Sequence, residues 1–204
     1  MSRLDYDGWR RVLDGAQLPA VVVDIDAFDR NLDRQAELAA QHGLPLRLAT
    51  KSVRVPALLR RALERGGTRT RGLLCYAAAE AEDLVDDGFD DLLIAYPIFR
   101  EADVLRVCGL VRRGITVRVV ADDADAVAQL GRVAAREGVR LHTLICVDMS
   151  LHLLGGRVHV GVRRSPVATV LSSPSNHRGS LRYGSDSTRR SSACRTGKRS
   201  SRPR

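Results

Sequence analysis

Of the 33 lysines and arginines in this chain only Lys51 and Lys198 are lysine, so arginine serves wherever plain positive charge is enough. Arginine stays protonated in proteins, whereas a lysine amine that is partly desolvated can give up its proton and attack a carbonyl carbon. Lys51 follows the run Leu46-Arg47-Leu48-Ala49-Thr50, which reads as a short buried strand. The C-terminal end of a strand is where an α/β protein would place a Schiff-base lysine. A lysine snorkelling at a strand end is the plain alternative, and the run alone leaves both open.

Other chemistries find no motif. Neither G-x-x-x-x-G-K-[ST] nor a G-x-G-x-x-G following a strand occurs, and there is no G-x-S-x-G elbow. The histidines at 42, 142, 152, 159 and 177 show no H-x-x-x-H spacing, so no metal ligands are assigned. His42 at a helix end and His142 at a strand start read as structural or surface residues. Cys75, Cys108, Cys146 and Cys194 form no C-x-x-C pair. Three of them lie in apolar runs, as small buried hydrophobes of a reducing compartment do.

The elements that must position Lys51 recur along the chain. Ala20-Val21-Val22-Val23 is the kind of β-branched run that is buried on both faces of a parallel sheet. A helix should follow, capped by Asp24 or Asp26, with Phe28, Leu32 and Ala36/Ala39 at helical spacing and with Gly43 and Pro45 ending it. Strand starts at 20, 46, 72, 91, 116 and 141 alternate with helical patterns near 55–65, 78–87, 100–113 and 124–137. Parallel strands need such crossover helices, so the fold class is α/β: a partial (β/α)8 TIM barrel with about six βα units. Gly156 to Arg163 reads as a seventh extended piece or a loop. The organisation is then a lead-in over 1–18 with a helical turn at Trp9–Leu13, an incomplete barrel domain over 19–170, and a tail over 171–204.

Of the net charge of +9, that tail carries +8. Residues 171–204 hold nine cations against the single acid Asp186, and ten serines. Such a segment cannot bury enough apolar surface to offset its ordering entropy and is expected to be disordered. It could be a tail for nucleic acid or another acidic partner. The reading preferred is an unrelated stretch, like a coding sequence read out of frame, and nucleic-acid binding is disfavoured. No apolar h-region opens the chain, and no apolar run approaches the roughly 20 residues of a membrane span. A cytoplasmic protein without membrane association is the expectation.

Three segments together resemble a known family: Pro19-Ala-Val-Val-Val-Asp-Ile-Asp-Ala-Phe-Asp-Arg-Asn31, the Lys51 run, and Asp90-Asp-Leu-Leu-Ile-Ala-Tyr-Pro97. They are similar to the N-terminal barrel domain of the alanine racemase-like, fold-type III pyridoxal-phosphate enzymes. The branch they resemble most is that of D-threonine aldolase and D-serine dehydratase, including bacterial amino acid deaminase/aldolase. Arg47, four residues before the lysine, matches that branch; where it often has histidine two before the lysine, this chain has Ala49. Likeness resumes over Ile145 to Val162, where Asp148 is an acidic strand end and His159 stands where relatives often carry arginine, with Arg157 beside it.

The resemblance implies a pyridoxal-phosphate-dependent lyase acting on a small amino acid, with Lys51 as catalytic and Schiff-base residue. It implies Arg47, Tyr96, Asp148, Arg157 and His159 as candidates near the cofactor. For Arg47 the alternative is a paired core arginine, and for Tyr96 a strand-end aromatic packed on Pro97. A racemase or a non-catalytic pyridoxal-phosphate barrel would use the same lysine. Full-length relatives imply a homodimer, a C-terminal β-domain and, in the aldolase branch, a divalent metal held by that domain. This chain is expected to stop before the β-domain, as a shortened and impaired form.

Overall fold

The computed structural model describes residues 5–146, together with the backbone of 151–153 and 158–160. Its chain forms two compact units: one takes in residues up to Leu46 and Ala57–Arg71, the other Arg47–Pro56 and Gly72 onward.

The first unit is helical. Helix α1 (Tyr6–Val12) begins where the Asp5 side chain accepts from the Gly8 amide at 2.8 Å. Helix α2 (Ile25–Gln41) begins at Asp24, which accepts from the Ala27 amide at 2.9 Å, so of the two candidate caps Asp24 serves. Helix α3 (Pro56–Gly66) opens on a proline, whose missing N–H is one that a first turn leaves unpaired anyway. Leu32 and Ala36 of α2 and Leu59 and Ala62 of α3 are buried. Asp29, only 6% exposed, accepts from Arg61 at 2.8 and 2.7 Å and pairs with Arg65 at 3.1 Å. Arg65 also reaches Asp33 at 2.6 Å. The hydrogen-bonding guanidiniums, Arg61 at Asp29 and Arg65 at Asp33, hold both carboxyls below their ordinary value of 3.8.

One expected strand does not form. Residues 20–23 join no ladder, and Val21 is 97% exposed. A β-branched run states what a strand would bury, but a strand exists only where a neighbour supplies its hydrogen bonds, and none of the described residues pairs with this run.

The second unit is built on a five-stranded sheet of order β1-β2-β3-β4-β5. The strands are β1 (Leu46–Ala49), β2 (Thr70–Cys75), β3 (Asp91–Ile94), β4 (Thr116–Ala121) and β5 (His142–Ile145). From β2 to β5 every pairing is parallel, with Leu73 opposite Leu92, Leu92 opposite Val117 and Val119 opposite Thr143. Helices α4 (Ala78–Asp86), α5 (Glu101–Arg112) and α6 (Ala124–Arg136) supply the crossovers and lie side by side, α4 against β3 and the other two against β4. One sheet face is the core: Leu73, Leu92, Ile94, Val117 and Val119 are at most 1% exposed. Each such side chain contributes about 2 kcal/mol relative to exposure. On the other face Leu74, Leu93 and Arg118 are only half-buried.

Beyond β5 the described residues form β6 (Leu151–Leu153) and β7 (Val158–Val160), which pair antiparallel, with His152 opposite His159. Of the two readings of Gly156 to Arg163 the extended one holds for Val158–Val160, as one strand of that antiparallel pair. The four residues between β6 and β7 explain this, because a parallel connection needs about a dozen or more. The basic tail and the boundary at 170 lie outside the described residues.

Candidate active site at the strand ends

Parallel neighbours finish on the same side of a sheet, so the residues that follow them gather along one edge. After β1 the chain makes a 3-10 turn, Thr50–Ser52, with Lys51 at its centre and exposed. After β2 comes Tyr76, and after β3 come Ala95 and Tyr96. The Tyr76 and Tyr96 rings lie 5.0 Å apart between centroids and are tilted by 59°, within the range that aromatic pairs prefer. Both are open to solvent, at 62% and 49%. Tyr96 thus packs on Tyr76, a contact the sequence did not suggest.

The turn is tied down beneath its exposed lysine. Thr50 is 2% exposed, and its Oγ1 lies 2.6 Å from Glu80 Oε1 and 3.2 Å from the Leu74 carbonyl. The other carboxylate oxygen, Glu80 Oε2, accepts from the Tyr76 amide at 2.6 Å.

Arg47 is placed elsewhere. It lies within β1, two residues before the strand's last residue, Ala49, and four before Lys51. Its guanidinium grips Asp91 with two bonds, 3.0 Å to Oδ1 and 3.3 Å to Oδ2, and donates to the Leu73 carbonyl at 3.2 Å. Arg118 donates to the same Asp91 Oδ1 at 2.6 Å, and all three side chains are about a fifth exposed, at 18–22%. Gly72 makes room for the pair. Its φ of +57° is left-handed, and a Cβ there would meet the Asp91 carbonyl oxygen, Arg47 Nη1 at 2.6 Å and Asp91 Cγ at 2.7 Å.

Of the sequence candidates, Lys51 and Tyr96 therefore follow β1 and β3 at one sheet edge, while Arg47 is engaged as a paired arginine lower in the sheet. His159 belongs to β7, opposite His152. Asp148 and Arg157 lie outside the described residues. Reading the sequence missed Tyr76, Glu80, Asp91 and Arg118. Two of these had a signal: Asp91 and Arg118 are charges of opposite sign inside apolar strand runs, as is Arg47, and such charges must pair. Glu80 had a fainter one, an acid at the third position of a helix whose cap, Ala77, offers no side-chain acceptor.

Burial is the main cause, with the charge of Glu80 second, that pushes the Cys75 thiol up to about 12, and burial likewise raises Cys108. Neither is a nucleophile at neutral pH. Among the described residues no cluster of three or more His, Cys, Asp or Glu could hold a metal ion, and no helix is long and apolar enough to cross a membrane. A primary amine and two phenol rings at one sheet edge fit the aldehyde and ring of pyridoxal phosphate.

Comparison with known proteins bears on the fold. No protein-family model matches the chain. Over 132 residues it is 28% identical to the 3-hydroxy-D-aspartate aldolase of Paracoccus denitrificans, covering 65% of this chain and 34% of that protein. The crystal structure of D-threonine aldolase from Filomicrobium marinum superposes with a TM-score of 0.57 at 28% identity, over 63% of this chain and 33% of that one. The likeness is to the alanine racemase-like, fold-type III pyridoxal-phosphate enzymes. An alanine racemase-like protein from Idiomarina loihiensis shares the fold, with a TM-score of 0.55 at 22% identity over 69% of this chain and 35% of that one. The chain spans about a third of the length of the curated relatives it matches.

Proposed function

We propose that this chain carries the lysine end of a pyridoxal-phosphate site, in a lyase acting on a small β-hydroxy D-amino acid, with Lys51 as the residue that holds the cofactor. One placement supports the reading: Lys51, the only lysine among the described residues, stands on the turn that ends β1, at the same sheet edge as Tyr76 and Tyr96. When bound, pyridoxal phosphate supplies an electron sink for a bond broken at the amino acid's Cα. The chain's own groups do the rest. The Lys51 amine, exposed at the edge, is the carbonyl-reactive group, and once free it can hold or move a proton at the substrate's Cα. Tyr76 and Tyr96 give that edge an aromatic wall. The Arg47–Asp91–Arg118 bridge braces β1, β3 and β4 against one another below it. The substrate class rests on the relatives' aldolase chemistry, named for D-threonine and 3-hydroxy-D-aspartate.

The test is retention of cofactor. Full-length protein incubated with pyridoxal phosphate and then dialysed should keep it stoichiometrically, with the visible absorbance of a lysine-bound aldehyde. Lys51→Ala and Lys51→Arg should keep none while holding the wild-type circular dichroism. Equal retention by Lys51→Ala would overturn the assignment.

A further inference from the structure

The turn that carries Lys51 is not held by its own strand alone. Thr50, immediately before the lysine, is almost fully buried and places its hydroxyl against Glu80 Oε1 at 2.6 Å. Glu80 sits in the first turn of α4 and uses its second oxygen to accept from the Tyr76 amide, also at 2.6 Å. One carboxylate thus ties together the segments that leave two adjacent strands: the 3-10 turn after β1 and the residue after β2. The Tyr76 ring in turn packs on Tyr96, which follows β3. Hydrogen bonds to an ionised carboxylate are shorter and roughly twice as strong as neutral ones, and these two share a single rigid acceptor. The first turn of a helix is also where an acidic side chain is favoured, so Glu80 answers to α4 as well.

We propose that Glu80 is a positioning residue that fixes the Lys51 turn relative to the Tyr76–Tyr96 wall. It touches neither the amine nor, by its place under the turn, anything bound above it. It acts through Thr50 on one side and Tyr76 on the other. The inference rests on Lys51 being the functional amine, but the clamp itself is a property of the chain without cofactor.

Amide hydrogen exchange on the full-length, cofactor-free chain separates the two. Besides Tyr76, the informative amide is Val53, which donates to the Thr50 carbonyl at 3.0 Å and so reports closure of the Lys51 turn. Ala95, donating to the Cys75 carbonyl at 3.0 Å, reports the sheet. In Glu80→Ala both Tyr76 and Val53 should exchange faster by on the order of 10- to 100-fold, the loss expected for a hydrogen bond to a charged group, while Ala95 stays unchanged. Thr50→Val keeps the shape and removes the hydroxyl; it should speed Val53 more than Tyr76, which serves if the alanine variant does not fold. Pyridoxal-phosphate trapping by borohydride at sub-saturating cofactor should fall roughly tenfold at Lys51 in Glu80→Ala, with Glu80→Gln recovering part of it. Faster exchange at Tyr76 alone, or unchanged exchange in both variants, would overturn the clamp. Faster exchange at both with undiminished trapping would overturn its role in positioning Lys51. Absence of trapping in the wild type would defeat the cofactor reading and leave the exchange result standing.

Discussion

Replacing Gly72 by alanine is the sharpest probe of how the sheet is braced beneath the site. Two costs add. The backbone at Gly72 has φ +57°, where a residue with a Cβ loses roughly 1–2 kcal/mol. The new methyl would also occupy the space of the Arg47–Asp91 contact, with Arg47 Nη1 at 2.6 Å and Asp91 Cγ at 2.7 Å. The guanidinium must then leave a carboxylate that it holds by two bonds, and breaking such a largely buried pair costs about 3–5 kcal/mol. The sum, about 4–7 kcal/mol, is a large fraction of the 5–15 kcal/mol that is typical of a whole domain. Gly88 is the control: its φ is +92° but no atom lies within 4 Å of a built Cβ, so Gly88→Ala should lose only the backbone part, about 1–2 kcal/mol. Urea unfolding of both variants, followed by circular dichroism, measures the difference. In an Arg47→Met background only the share of the extra cost owed to the displaced guanidinium should vanish, because the Asp91 carbonyl oxygen still meets the new methyl. If Gly72→Ala and Gly88→Ala lose the same stability, the packing of Arg47 against Gly72 is not what demands the glycine.

Three further outcomes are expected. Asp91→Ala leaves Arg47 and Arg118 facing each other without their shared carboxylate and should cost about 3 kcal/mol or more in urea unfolding, whereas Asp86→Ala, whose partner Arg113 is exposed, should cost under about 1 kcal/mol. The carboxyls of Asp29 and Asp33 titrate below 3.8 when folded, so the unfolded chain takes up protons first as the solution is acidified. Their stabilisation is complete above that value and is lost as pH falls through the folded values; the urea midpoint should fall below about pH 4, less steeply in Asp29→Asn. With its thiol pushed up to about 12, Cys75 should resist alkylation at pH 8 in the native chain, as should Cys108, while half-buried Cys146 reacts before either; rapid native labelling of Cys75 would mean that the sheet opens.

Much of the fold was legible because period and punctuation agreed. Strands β1 to β5 and helices α2 to α6 fall within a few residues of where apolar runs, caps and glycines put them. The one departure has a physical cause. Ala20–Val23 has the composition of a buried strand, but pairing depends on a partner, which the run does not contain. At the proposed site, Lys51 could be singled out because lysine is so rare in an arginine-rich chain and because the run before it resembles a known motif. Its supports could not. Tyr76, Glu80, Asp91 and Arg118 come from separate elements, and their roles arise only where the sheet brings strand ends and strand interiors side by side. Arg47 was seen in the sequence with two meanings open, and the structure engages it with Asp91.

The central claim is that Lys51 is the carbonyl-reactive amine of this chain. Reduction of the pyridoxal-phosphate complex with borohydride, followed by peptide mapping, tests it with Lys198 as an internal competitor. The pyridoxyl mass should appear on the peptide containing Lys51, with Lys198 unmodified and no label in Lys51→Ala. Label on Lys198 or the N-terminal amine instead, or a folded protein with Lys51 untouched, would contradict the account.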